Sequence, residues 1–404
     1  MKVVQINVTN TGSTGAIAGS ISQKVCEEGG TAVGFFGRIS GSKNDGSINR
    51  VGGKLSLYSH IVLARLGLNG HGSFFATLAL RKKLLEMKPD VIVLHNIHGY
   101  YVNLKLLWKT LAELTDTKVY WFLHDSWCYT GGCAYYSAEN CEKWKIPETR
   151  GGKERHCGKC PYLTSDYPIA YVDTTRREFE FKRKLFTSLP EERLTLISPS
   201  DWLAGEVKRS FMGKYKCIVK HTEIDKTVFY RRSEEEQKAA LEAFGIPRSA
   251  DGEASCGGSS AVPAESPKKI VLSVAMVWDR RKQPDMVLKV AKLLPDHIFL
   301  IVGLKPAQIK SLRRLDVPAN VIMRGRTSSR EELAALYSAA DVLLNASLED
   351  NYPLVPLEAQ CCGTPVVSSN MCGNPETVTN GIVVNDPRRA DDYAEAIEKL
   401  TGAN

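Results

Sequence analysis

Short β-branched apolar runs, each trailed by a segment of helical spacing, recur along nearly the whole chain. That alternation is the pattern of parallel sheets covered by helices. Residues 3–8, 91–95, 119–124 and 194–199 form one series of such runs, and residues 270–274, 298–302, 321–324, 342–345 and 365–368 form a second. Amphipathic stretches at 284–294 and 329–340 separate some of the later runs, the second opening with Ser329 ahead of Glu331 and Glu332 like a capped helix start. At 404 residues and 43% hydrophobic content the chain exceeds what one core usually organises. The expected fold class is therefore α/β, with two Rossmann-like domains facing each other across a cleft, one over residues 1–212 and one over residues 213–404. Residues 249–267, rich in Gly, Ser, Ala and Pro, read as a flexible surface insertion in the second domain. No heptad and no solenoid period is present.

Ligands of open α/β sheets bind beyond the carboxyl ends of the strands. His95, His124 and Ser198 stand at such ends in the first series. The turn Asn10-Thr11-Gly12-Ser13-Thr14-Gly15 follows the opening strand, and Gly12 and Gly15 can let a backbone approach phosphate or sugar. His95 and His98 are read either as structural hydrogen-bonding groups beneath a site or as direct contacts.

In the second series the most informative segment runs from Ser347 through Asp350, Asn351, Tyr352, Pro353 and Leu354 to Glu358, and continues to Gly363-Thr364-Pro365-Val366-Val367. Two carboxylates, Asp350 and Glu358, flank a proline-containing turn that opens a helix. Backbone N–H groups at a positive helix end suit a pyrophosphate, and a carboxylate one or two turns further in can accept hydrogen bonds from ribose hydroxyls. The basic string Asp279-Arg280-Arg281-Lys282 follows the first strand of the same series, where cations can neutralise a diphosphate leaving group.

This acid-x7-Glu string followed by Gly-Thr-Pro-Val-Val resembles the donor-binding signature of glycosyltransferase family 4, whose fold is GT-B. The resemblance implies a nucleotide-sugar donor, a UDP- or GDP-sugar, bound by the C-terminal domain. It assigns Glu358 to the ribose, and Asp350 with the backbone of Asn351, Tyr352 and Leu354 to the transferred sugar and phosphates. Glu376 in Gly373-Asn374-Pro375-Glu376 supports the site. Lys282 lines up with the family's lysine, and Arg281, with Arg280 as the alternative, takes the place of its arginine. A histidine at the strand end that touches the sugar near its reacting carbon corresponds to His124. The reaction implied is metal-independent retaining transfer onto a glycan or polyprenyl-linked acceptor. One departure is Thr222-Glu223-Ile224-Asp225, where relatives usually have Asn-Gly-Ile-Asp, so the turn must be built without its glycine.

Five of the eleven cysteines, Cys128, Cys133, Cys141, Cys157 and Cys160, crowd into one segment. The spacing Cys133-x7-Cys141-x15-Cys157-x2-Cys160 suits four thiolates on a closed structural zinc site; reduced packed thiols or disulfides remain the alternatives. The string from His124-Asp125-Ser126-Trp127 to Thr130-Gly131-Gly132-Cys133 also resembles a family 4 subgroup from bacterial capsular and exopolysaccharide clusters that carries a cysteine-rich insertion, here residues 128–160.

A formal net charge of +8, from 53 basic and 45 acidic residues, favours phosphate-bearing ligands or an anionic membrane surface over nucleic acid. Arg81-Lys82-Lys83 and Lys182-Arg183-Lys184 are expected on helices facing a membrane that holds the acceptor lipid. Neither a signal-peptide pattern nor a membrane span is read from the sequence, so a cytoplasmic protein touching the inner membrane face is expected. The rival reading is a non-catalytic GT-B scaffold or glycan-binding subunit.

Overall fold

The computed structural model describes residues 1–41, 46–145, 157–165, 167–246 and 268–402. The insertion at 249–267 and part of the cysteine-rich segment lie outside the described residues. The chain divides into two compact units, Met1–His221 and Thr222–Asn404.

The first unit is built on seven strands: β1 (Lys2–Thr9), β2 (Thr31–Arg38), β3 (Ile48–Arg50), β4 (Val91–Leu94), β5 (Lys118–Phe122), β6 (Leu194–Ser198) and β7 (Lys216–Val219). They lie in the order β3-β2-β1-β4-β5-β6-β7, and all neighbours are parallel. The second unit holds β8 (Lys269–Val274), β9 (His297–Val302), β10 (Val321–Met323), β11 (Val342–Asn345), β12 (Val366–Ser369) and β13 (Gly381–Val384). Their order is β10-β9-β8-β11-β12-β13, again parallel throughout. Both are doubly wound α/β sheets whose strand order reverses once, between β1 and β4 in one and between β8 and β11 in the other. The loops leaving such a reversal open a crevice at the strand ends.

Helices cover both faces of the second sheet, so successive residues on one strand enter different cores. Val271 packs with Val342 and Ile301, whereas Leu272 packs with Leu343 and Leu300. Burial on both faces is why these strands read as continuous apolar runs. A side chain such as Leu343, with no exposed surface, contributes about 1.5–3 kcal/mol relative to exposure. The helix Arg330–Ala339 starts as its sequence indicated: the Ser329 hydroxyl accepts from the Glu332 amide at 3.0 Å.

The first unit extends nine residues past position 212 because β7 joins its sheet beside β6. That strand, Lys-Cys-Ile-Val, is short and half-exposed, with no apolar run to mark it. In β2, glycine is dictated by close approach. A Cβ on Gly37 would sit 2.6 Å from the Tyr101 ring. No residue of the departing segment Thr222–Asp225 takes a positive φ, so its backbone does not call for glycine, and Asp225 Oδ1 accepts from the Thr227 amide at 3.1 Å and hydroxyl at 2.6 Å.

Candidate active site

At the reversal of the second sheet, the loop after β8 and the loop after β11 are stitched together. The Leu348 amide donates to the Arg281 carbonyl at 2.7 Å, and the buried Gln283 amide donates to the Ala346 carbonyl at 2.8 Å. Gln283 holds φ +47, in the left-handed region, so the β8 loop turns sharply into the helix Pro284–Leu293. The Trp278 indole anchors the same loop on the Val302 carbonyl at 2.8 Å. This rigid support brings Lys282 Nζ to 2.5 Å from Asp350 Oδ2, both half-buried. Sequence reading placed these two in one site, and the structure joins them directly.

Arg281 is held differently. Its Nε lies 3.1 Å from Asp279 Oδ2 and its backbone amide 3.0 Å from Oδ1, so its guanidinium is engaged by a carboxylate two residues away. Asp279 was missed as a partner because a carboxylate inside a basic loop reads as a solvated charge.

Beyond Asp350 the chain crosses Asn351, which is buried, and Tyr352, then enters the helix Leu354–Cys361 at Pro353 with no side-chain cap. The positive end of this helix therefore keeps its amide field for a ligand. The turn is braced from below by the fully buried Asn374, whose amide donates to the Ser347 carbonyl and to the Ser369 hydroxyl, each at 2.9 Å. The Gly373 amide donates to the Asp350 carbonyl at 3.0 Å. Glu376 follows in a short 3-10 turn, Pro375–Thr377, and its charge, after burial, helps to raise the Tyr352 phenol. Glu358 lies in the second turn of the helix and accepts from the Tyr337 hydroxyl at 3.0 Å. Burial raises its carboxyl above the usual range, while the Tyr337 hydroxyl and the Arg330 charge pull it back. Tyr337 carries no sequence signal as a site residue, being one aromatic in an amphipathic helix.

In the first unit, the middle of β1 and the ends of β4 and β5 bring a histidine chain together. His95 Nε2 lies 2.9 Å from Gln5 Oε1, and His95 Nδ1 lies 3.1 Å from His124 Nε2. Burial pushes His95 well below its ordinary value and brings His124 down to about 4, against the pull of Asp125. His98 Nε2 lies 2.7 Å from Asp125 Oδ2. Burial works to raise the Asp125 carboxyl, but His98 and the Trp127 amide hold it below its usual value. Gln5 was missed although an amide in the middle of an apolar strand, with Asn7 two residues on, is a visible oddity. The two glycines separate in role: a Cβ on Gly15 would lie 2.4 Å from the Asn10 backbone, so Gly15 serves the helix–turn contact, whereas Gly12, at φ +73, faces open space.

The four thiols of Cys133, Cys141, Cys157 and Cys160 line one small cavity, and all are free. The Gly131 amide points at Cys157 Sγ at 3.2 Å. No three of these sulfurs lie mutually within 4.8 Å among the described residues, whereas tetrahedral zinc thiolates sit about 3.8 Å apart. The donor chemistry fits zinc, and the separations are wider than a closed site. The run Lys182-Arg183-Lys184 does not form the exposed basic face read from the sequence. Lys182 is buried, with Nζ 2.6 Å from the Trp127 carbonyl and 4.0 Å from that indole's centroid, and burial brings it down to about 8. Arg183 pairs with Glu180 at 2.6 Å. No helix among the described residues is long and apolar enough to cross a membrane.

Residues 260–402 match the family model "Glycosyl transferases group 1". Over 381 residues, 92% of this chain and 83% of the relative, the sequence is 25% identical to WcaC of Escherichia coli strain K12, a glycosyl transferase assigned to colanic acid biosynthesis. It is 35% identical to the D-inositol 3-phosphate glycosyltransferase of Mycobacteroides abscessus over 129 residues, 30% of this chain and 29% of that one. Sucrose-phosphate synthase from Thermosynechococcus elongatus superposes with a TM-score of 0.63 at 16% identity, covering 100% of this chain and 90% of that one. Anabaena HepE, solved with UDP-glucose, gives a TM-score of 0.61 at 12% identity over 99% of this chain and 89% of that one. WaaG, a glycosyltransferase of lipopolysaccharide biosynthesis, gives 0.59 at 16% over 100% and 90%. The likenesses to solved structures establish the fold, and with the family match and the WcaC relative they support a glycosyltransferase of GT-B architecture.

Proposed function

We propose that the chain transfers a hexosyl group, with retention and without a catalytic metal, from a UDP- or GDP-sugar to a glycan or polyprenyl-linked acceptor in bacterial surface polysaccharide synthesis. The observation that carries this reading is the Lys282–Asp350 pair at the sheet reversal, ahead of an uncapped helix start that leads to Glu358. In that reading the helix start and Lys282 take the diphosphate, and Lys282 neutralises the charge that develops as the glycosidic bond breaks. Asp350 and the turn at 351–354 orient the sugar, with Glu376 in support, and Glu358 accepts from the ribose. His124 of the first unit bonds the sugar near its reacting carbon, Gly12 leaves room for the ligand, and the acceptor attacks from the face the nucleotide leaves. Arg281 contributes charge beside Lys282 from its seat on Asp279. The names of WcaC and WaaG place those proteins in surface-glycan synthesis, which favours an acceptor of that class and a site of action at a membrane.

The test is to incubate purified protein with UDP- and GDP-sugars and candidate acceptors. Acceptor-dependent nucleotide release, an α-linked product from an α-linked donor, and undiminished rate in chelator are expected. A donor that binds but is never consumed would favour the scaffold reading instead.

The four clustered thiols are proposed as structural zinc ligands that close together when the ion binds. Stoichiometric zinc in protein purified without chelator is the expected result. Zinc-free protein with an unchanged melting temperature would reject it.

A further inference from the structure

Most exposed apolar side chains in a folded unit are scattered, but among the described residues of the first unit seven of the twelve large ones lie on or just beyond two helices. In the helix Lys54–Arg65, Leu55, Tyr58 and Val62 are 85%, 62% and 60% exposed, and Leu66 just beyond it is 50% exposed. The spacing of three, four and four residues puts them on one stripe. The opposite side of the helix holds the buried residues His60 and Ala64, so the apolar stripe faces away from the core. His60 fixes that orientation, with Nδ1 2.9 Å from the Ser73 hydroxyl and Nε2 accepting from the Gly70 amide at 3.0 Å. Ser73 is also the N-cap position of the helix Phe74–Met87, so the first turn of that helix is tied to the same surface. There Phe75 is 81% exposed, Leu78 is 45% exposed, and Lys82, one turn on, continues the stripe with its side chain 80% exposed.

Charge decides what this surface is for. The chain carries 45 acidic residues in 404, yet residues 46–85 contain no Asp or Glu and six cations, Arg50, Lys54, Arg65, Arg81, Lys82 and Lys83. Lys54 and Arg65 flank the apolar stripe on one side, roughly 80–100° from Leu55 around the helix. An apolar face edged by cations matches the interfacial plane of an anionic bilayer, where side chains enter the acyl boundary and ammonium groups meet phosphates. Arg81 is engaged by Glu113 and Lys82 lies 3.9 Å from Glu86, which leaves Lys54 and Arg65 as the cations that edge the stripe, and a second copy would set these against their like.

We propose that the outward faces of Lys54–Arg65 and the first turns of Phe74–Met87 dock the protein on an anionic lipid surface. The inference rests on exposure and charge and stands apart from the transferase reading, which would hold or fail on soluble substrates.

The test is co-sedimentation of the full chain with vesicles of phosphatidylcholine alone and with one third phosphatidylglycerol. Wild type is expected to bind the anionic vesicles, more weakly as salt rises. The double variant L55E/F75E should lose binding by about tenfold or more, with its circular dichroism, melting temperature and turnover of a water-soluble acceptor unchanged. K54E/K82E should lose the preference for anionic over neutral vesicles. The proposal is overturned if wild type binds neither vesicle, if L55E/F75E binds as well as wild type, or if light scattering shows a dimer that L55E/F75E dissociates.

Discussion

The Nδ1 of His95 lies 3.1 Å from the Nε2 of His124, and the group behind His95 decides which ring carries the proton. Gln5 Nε2 donates to the Ala18 carbonyl at 2.5 Å and to the Ser22 hydroxyl at 2.6 Å, which turns Gln5 Oε1 toward His95. An amide oxygen only accepts, so His95 Nε2 bears its hydrogen. Burial keeps His95 neutral, leaving its Nδ1 bare to accept from His124 Nε2–H. In neutral His124 the hydrogen therefore sits on Nε2, and Nδ1 is the ring's acceptor atom.

His95→Phe, which keeps an aromatic beside Phe122, removes that acceptor. The turnover number should fall about 10- to 100-fold while KM for the donor changes little, as for other groups that orient a site residue. His95→Asn, which restores an acceptor near the same place, should recover part of the loss. Equal effects of both variants, with an unchanged His124 tautomer by nitrogen NMR, would reject the relay.

Lys282→Ala should cost on the order of 100- to 1,000-fold in kcat if, as proposed above, its ammonium neutralises the leaving diphosphate. Arg281→Ala should cost about tenfold or less, since its guanidinium is already seated on Asp279. The reverse ranking, measured at saturating donor, would move the leaving-group role to Arg281.

The two parallel-sheet units were legible because their central strands, such as residues 270–274, are buried on both faces and so unbroken in hydrophobicity, whereas the strand order came only from the structure. The strands β2, β3, β7 and β13 were not legible: β3, β7 and β13 are short and partly exposed, and β2, an inner strand, has its apolar run broken by Gly34 and Gly37. Within the candidate site, Lys282 and Asp350 were readable because both stand in loops that leave strand ends, and Glu358 because it follows in the helix that the second loop opens. Gln5, Tyr337 and Asp279 act through a neighbour's proton or charge, and the pairing of residues far apart in sequence is supplied by the fold. The buried Lys182 shows the converse: a basic triplet reads as surface until an aromatic face and a carbonyl are found around its first member.

Acid should destabilise the protein in a defined window. Burial brings His60 and His124 down to about 4 and His95 well below 6.5. The unfolded chain takes up these protons near 6.5 and the folded chain does not, so the stability is intact above 6.5 and is lost as pH falls toward 4. One pH unit below 6.5, the two groups held near 4 remove about 3 kcal/mol, and His95 acts in the same direction. Thermal melts across this range should show a steep fall, shallower in His95→Phe. A flat profile would mean that the imidazoles are not held neutral.

Glu358 sets binding against stability. Its folded carboxyl is raised by burial, so its contribution is fully present below the unfolded pKa and is lost as pH rises through the folded value. At neutral pH the ionised group therefore costs stability. Glu358→Gln should then melt higher than wild type near pH 7 while binding the nucleotide sugar more weakly, because a neutral amide is a poorer partner for two ribose hydroxyls. Tyr337→Phe deletes the donor at 3.0 Å and should raise the Glu358 carboxyl further, shifting the acid limb of donor affinity to higher pH while keeping the ring's packing against Phe229. Calorimetric titration of donor across pH reads both effects. Undiminished affinity in Glu358→Gln would remove Glu358 from the ribose, whatever the melting temperature showed.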